Sequence, residues 1–124
     1  MSDEISKLPP NVQERLLRLQ QLQQTLQSIL AQKQQVDMEK TEVEQTLAEL
    51  QKTPDDAVIY KAIGSLLVKA EKPKVNEDLA ERKSLLDTRS TVMTRQEERI
   101  RSQVKEAQTK LQEDLSPVSG QPLS

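Results

Sequence analysis

The chain has 124 residues, room for one domain, yet only 34% of them are apolar and 1% aromatic, which excludes a large globular core. Charged residues make up 31% and nearly cancel, and a net charge of −2 argues against a general polyanion-binding surface. Without His, Cys, Trp or Phe and with two glycines, the chain lacks the usual metal ligands, thiol nucleophiles, switchable bases near neutral pH and any phosphate-cradling loop, so neither catalysis nor a cofactor is expected.

The chain reads as a single domain, 1–124. Residues 1–10 read as a flexible N-terminus, and MSDEISK has no signal-peptide core. A first helix is predicted over 11–53. Pro9-Pro10 bars an earlier start, Asn11 is a good N-cap, and Glu14 is placed to reach back as in a capping box. Pro54 disfavours helical geometry in the residue before it and sets the end. Steps of three and four from Val12 visit Arg15, Leu19, Leu22, Leu26, Ile29, Lys33, Val36, Lys40, Val43, Leu47 and Leu50, an apolar coiled-coil seam interrupted only by cations. Lys33 and Lys40 read either as register and partner determinants or as stems that snorkel out of the seam. At 1.5 Å per residue the helix is on the order of 60 Å long. The glutamines between Gln13 and Gln35 belong to its exposed surface, because the leucines among them keep strict helical phase.

Residues 54–73 are too many for a featureless helix connection. VIYKAI and LLVKA flank Gly64-Ser65, which predicts one β-hairpin within 58–70 around a two-residue type II′ turn with glycine in the first central place. The hairpin is apolar on both faces through Val58, Ile59, Tyr60, Ile63, Leu66, Leu67 and Val68, and a two-stranded ribbon is marginal alone. It is expected to join other strands, which makes Val58, Tyr60, Ile63, Leu66 and Val68 candidate oligomerisation residues. The bland alternative is a hairpin packed only on its own helices, with an edge left exposed.

A second helix is predicted over 74–115, capped by Asn76 with Glu77 and Asp78 at the positive end of its dipole. One row runs through Leu79, Leu86, Met93, Ile100 and Ala107, but its partner row holds Arg82, Arg89, Gln96, Gln103 and Lys110. Val104, Leu111 and Leu115 stand out of phase with that row, which predicts a stutter near Ile100. Ser116-Pro117 ends the helix, and 116–124 reads as a disordered tail. Two arms of equal length around a bend define a mainly α fold, a long antiparallel coiled-coil hairpin with one small β-hairpin at the bend.

Glu97-Glu98 reads as a solvated helix face rather than an acid/base pair. Arg82, Arg89, Arg95, Arg99 and Arg101 are the candidates for an RNA-binding arm, interrupted by those two glutamates. A coiled-coil scaffold or tether is the other alternative, and the apolar ribbon discriminates against both. No run approaches membrane-spanning length.

This order of parts resembles the prefoldin family, in its β class. The resemblance is carried by LPPNVQ at the first helix, LQQLQQ and AQKQQV along it, PDDAVIYKAIGSLLVK at the centre and RQEERI in the second helix. Room for one hairpin rather than two independently favours the β class, and the archaeal branch is favoured over the eukaryotic. The resemblance implies a cytoplasmic, ATP-independent chaperone subunit. Two α-class and four β-class subunits would join their hairpins into a double β-barrel platform, and the coiled-coil tips would hold unfolded proteins and deliver them to a group II chaperonin. The partners so implied are an α-class subunit, other copies of this chain, unfolded clients and the chaperonin, with no nucleic acid and no membrane.

Near the chain ends Val12, Leu16, Leu17, Val104, Leu111 and Leu115 supply more apolar positions than one narrow seam consumes. They are candidate client-binding residues of the tip, where several weak apolar contacts gain by avidity. Alternatively they close the end of the coil.

Overall fold

The computed structural model describes residues 6–115. In chain order it contains helix α1 (Pro10–Lys52), strand β1 (Ile59–Ile63), strand β2 (Leu66–Ala70) and helix α2 (Lys72–Leu115). The two strands form one antiparallel sheet, and the fold is mainly α. The expected disorder of 1–5 and of the 116–124 tail lies outside the described residues.

Both helix starts differ from expectation, and proline explains each. The Val12 and Gln13 N–H groups both donate to the Pro9 carbonyl at 3.0 Å, so Pro9 is the cap and Pro10 the first helical residue. Proline suits that place because its fixed φ is already helical and its missing N–H would have had no partner. Asn11 therefore lies inside the helix and forms no capping box with Glu14. Residues 6–8 are not free either, since Gln13 Nε2 donates to the Leu8 carbonyl at 2.7 Å and to that of Ser6 at 3.3 Å. Helix α2 starts at Lys72 rather than 74. Glu71 holds the cap position, its carbonyl accepting from Val75 N–H at 3.0 Å, and Pro73 is accommodated in the first turn. Asn76 is not a cap, and its Oδ1 accepts from Gln51 Nε2 at 3.1 Å. Helix α1 ends at Lys52, one residue before the limit read from Pro54, and Thr53 N–H then closes a turn onto the Leu50 carbonyl at 3.1 Å.

Every position of the α1 seam from Val12 to Leu50 is buried or half-buried. Along α2 the protected row is Leu79, Lys83, Leu86, Ser90, Met93, Glu97, Ile100, Val104, Ala107, Leu111 and Asp114. This corrects the expected partner row. Stepping four and then three from Leu79, instead of three and then four, brings Val104 and Leu111 into phase, so no stutter near Ile100 is required. Arg82, Arg89, Gln96 and Lys110 are exposed and Gln103 half-buried. The true row was masked because Lys83, Ser90 and Glu97 are polar.

Packing divides the chain into two compact units, Met1–Gln32 with Met93–Ser124, and Lys33–Val92. In the first, Val12, Leu22 and Leu111 are buried, and Arg15 Nε donates to Asp114 Oδ2 at 2.7 Å. The second buries Val36, Leu50 and Leu86, with Leu86 fully enclosed. There Lys40 Nζ meets Asp87 Oδ1 at 3.1 Å, and Arg82 reaches Glu39 at 3.0 Å. The hydrogen bond to Asp87 raises the Lys40 pKa above its ordinary 10.5. Arg15 and Lys40 in the seam of α1 are thus answered by acids on α2, as a register device requires.

Candidate assembly hairpin and helix-end surfaces

The hairpin register pairs Ile59 with Ala70, Tyr60 with Lys69, Lys61 with Val68, Ala62 with Leu67 and Ile63 with Leu66. Gly64 has φ +58° and, among the described residues, no non-glycine residue has positive φ, so within the turn the left-handed conformation is confined to the first central place. That is the sign pattern of a type II′ turn, whose twist matches that of the strands.

Strand alternation puts Ile59, Lys61, Ile63, Leu66, Val68 and Ala70 on one face, and Tyr60, Ala62, Leu67 and Lys69 on the other. Only Ile59 and Ala70, at the base, are half-buried, and the other strand residues are exposed. Among the candidate oligomerisation residues, Val58, Tyr60, Ile63, Leu66 and Val68 are all exposed, Leu66 at 65%. Leu67 belongs with them. At 72% it is more exposed than any of these, and alternation across the two-residue turn already placed it beside Ala62 and on the face of Tyr60. With the turn-closing pair hydrogen-bonded, the outward backbone groups belong to Tyr60 and Ala62 on one edge and to Leu67 and Lys69 on the other. Those edges can accept further strands, and the apolar side chains give the added strands something to bury.

The base of the hairpin is held by lysines. Lys72 Nζ donates to the Thr53 carbonyl at 2.8 Å and to Asp55 Oδ1 at 3.0 Å. Asp78 lies 3.2 Å from Lys74 and 3.6 Å from Lys61. Hydrogen bonding to Lys74, and secondarily the charge of Lys61, holds the Asp78 carboxyl below its ordinary 3.8. The same bond raises Lys74.

In the unit that carries the helix ends, the candidate client residues separate. Val12, at 1% exposure, and Leu111, at 9%, are buried in the seam and in this arrangement have little surface to offer. Their position follows from the heptad phase, which takes Val12 and Leu111 as core positions. Leu16 and Val104 are half-buried, whereas Leu17 at 56% and Leu115 at 53% are exposed. Of the five arginines suited to RNA, Arg82 is engaged by Glu39 and Arg101 by Glu97 at 2.8 Å. Among the described residues no cluster of acidic side chains is arranged to hold a metal, and no helix is long and apolar enough to cross a membrane.

Two long helices joined through an exposed apolar β-hairpin define a class of coiled-coil hairpin proteins. A family profile described as "Prefoldin subunit" matches residues 13–117. Prefoldin subunit beta of Archaeoglobus fulgidus is 44% identical over 94% of this chain and 100% of its own length. That of Sulfolobus acidocaldarius is 41% identical over 89% and 88%. The crystal structure of the prefoldin beta subunit from Thermococcus strain KS-1 superposes with a TM-score of 0.83 at 39% identity, covering 90% of this chain and 98% of that one. The chain belongs to the prefoldin family of chaperone subunits, and within it these similarities are to the β class.

Proposed function

We propose that the chain, acting as one prefoldin-type domain over 1–124, is an ATP-independent holdase subunit of the cytoplasm. It assembles through its β-hairpin with an α-class prefoldin subunit and with other copies of itself, two α with four β. It captures unfolded proteins with apolar groups near the helix ends and delivers them to a group II chaperonin. It acts without a cofactor, without catalysis, and without nucleic acid or membrane. The observation that carries this reading is the hairpin, whose apolar side chains are left exposed while every station of the α1 seam is buried or half-buried.

The oligomerisation set is Val58, Tyr60, Ile63, Leu66 and Val68, extended by Leu67. Client contact falls to Leu17 and Leu115, with Leu16 and Val104 contributing their exposed parts. Val12 and Leu111 take part only where the end of the coil opens. Weak burial of client side chains on such groups is multiplied when several subunits act together. The test is aggregation suppression by the mixed complex. Leu17→Ser with Leu115→Ser should lose suppression while the complex mass stays unchanged, and undiminished suppression would remove the client role of these residues.

A further inference from the structure

The hairpin is attached to its helices unequally. Strand β2 runs into α2 across Glu71 alone, a junction too short to leave it much freedom relative to the helix. Strand β1 is reached from α1 through residues 53–58, a longer leash that includes Pro54 and a turn in which Ala57 N–H donates to the Pro54 carbonyl at 3.1 Å. The polar contacts between the hairpin region and α2 act on this looser side. Lys72, whose side chain is only 16% exposed, grips the Thr53 carbonyl and Asp55 at the start of the leash. Lys61, in the middle of β1, reaches Asp78 one turn and a half further along α2. Lys69 on β2 points from the opposite face, and no ion pair of β2 with α2 accompanies it among the described salt bridges.

We infer that Lys72 and Asp78 are positioning residues, which hold the long-linked strand β1 to α2 and so present the hairpin in one orientation to the strands it joins. The inference rests on the assembly reading given above. Its physical content is preorganisation. Ordering a loosely tethered segment at the moment of association subtracts from affinity, and contacts already made in the free subunit remove that cost. A mostly apolar interface gains such a brace without any change in what it buries. The brace also adds a signature that apolar burial lacks, because exposed ion pairs weaken as salt rises while apolar burial does not.

Tyr60 is the only aromatic residue of the chain and lies on the braced strand, so its intrinsic fluorescence anisotropy reads hairpin order directly. In the chain alone at low salt, Asp78→Asn should lower the Tyr60 anisotropy with helix content unchanged. Lys74→Gln, which leaves the Lys61 contact, should not. In the Lys74→Gln background, exchanging the charges by Lys61→Asp with Asp78→Lys should restore the wild-type value, which a purely steric role of Asp78 would not permit. High salt should bring wild type down to the level of Asp78→Asn. In mixtures with an α-class subunit, the dissociation constant of Asp78→Asn should rise roughly three- to fivefold at low salt, the scale of one exposed pair, and converge with wild type at high salt. Unchanged anisotropy in Asp78→Asn, or a wild-type dissociation constant in that variant, would overturn the inference while leaving assembly standing. Failure of wild type to bind the α-class subunit would overturn the assembly reading itself, and the positioning role with it.

Discussion

Leu86 on α2, at 0% exposure, and Leu67 on β2, at 72%, are the same side chain in opposite circumstances. The first lies in a row of three- and four-residue steps that a second helix of the same chain covers. The second lies in a two-residue period on a ribbon whose apolar side chains are exposed on both faces. A helix presents one stripe, and a neighbouring helix of the same chain is enough to cover it. A two-stranded sheet presents two faces and two edges, more than its own chain closes. The comparison teaches that apolar content alone does not mark an interface. What marks it is apolar content in a period that the chain cannot satisfy by itself.

Substitutions on either side should separate the two roles. Leu86→Ala should cost about 2–5 kcal/mol, the range for emptying a fully buried leucine site, read as a lower urea midpoint of the isolated chain. Leu67→Lys should leave that midpoint nearly untouched and weaken association with partner hairpins by about thirtyfold or more, the scale of a central interface residue. If Leu67→Lys unfolded the chain instead, the contrast between seam and ribbon would be wrong. Gly64→Ala should cost about 1–2 kcal/mol of hairpin stability, since φ +58° suits glycine and strains alanine although nothing lies within 4 Å of the added methyl. Hydrogen exchange of the strand amides, faster in the variant and unchanged in the helices, checks it.

The smallest expected effect is electrostatic. The folded pKa of Asp78 is held below its ordinary 3.8 by Lys74 and Lys61, so its contribution is present above that value and fades as pH falls through the lower folded one. Lys40 is the reverse case. Asp87 raises its pKa above 10.5, so the contribution is present below 10.5 and is lost as pH rises through the higher folded value. Acid titration of the hairpin by Tyr60 fluorescence should therefore respond to Asp78→Asn, and alkaline unfolding to Lys40→Gln. Identical titrations in variant and wild type would remove these pairs from the account.

The α1 seam was legible from sequence because its apolar stations outnumber its charged ones, and the hairpin because Gly64-Ser65 separates two runs of β-branched or apolar residues. The register of α2 was not. With Lys83, Ser90 and Glu97 on its true row, the apolar residues in one half of the helix gave no second row to follow. The fold settles the phase by placing α1 against it. Both helices start earlier than the sequence suggests, because proline in the first turn is a good helical residue and not a barrier. At the candidate sites, Leu67 was recoverable from alternation, whereas the burial of Val12 and Leu111 depended on heptad phase. The brace at Lys72 and Asp78 was not recoverable, since an ion pair between a strand and a helix leaves no periodic trace.

The most direct test of the central claim, that the exposed hairpin is completed by strands of other chains, is the native mass of this chain alone and after mixing with an α-class prefoldin subunit. A discrete complex of two partner chains with four of these, lost in Leu67→Lys, is the predicted result. A chain whose mass ignores the partner, with wild type and Leu67→Lys indistinguishable, would contradict it.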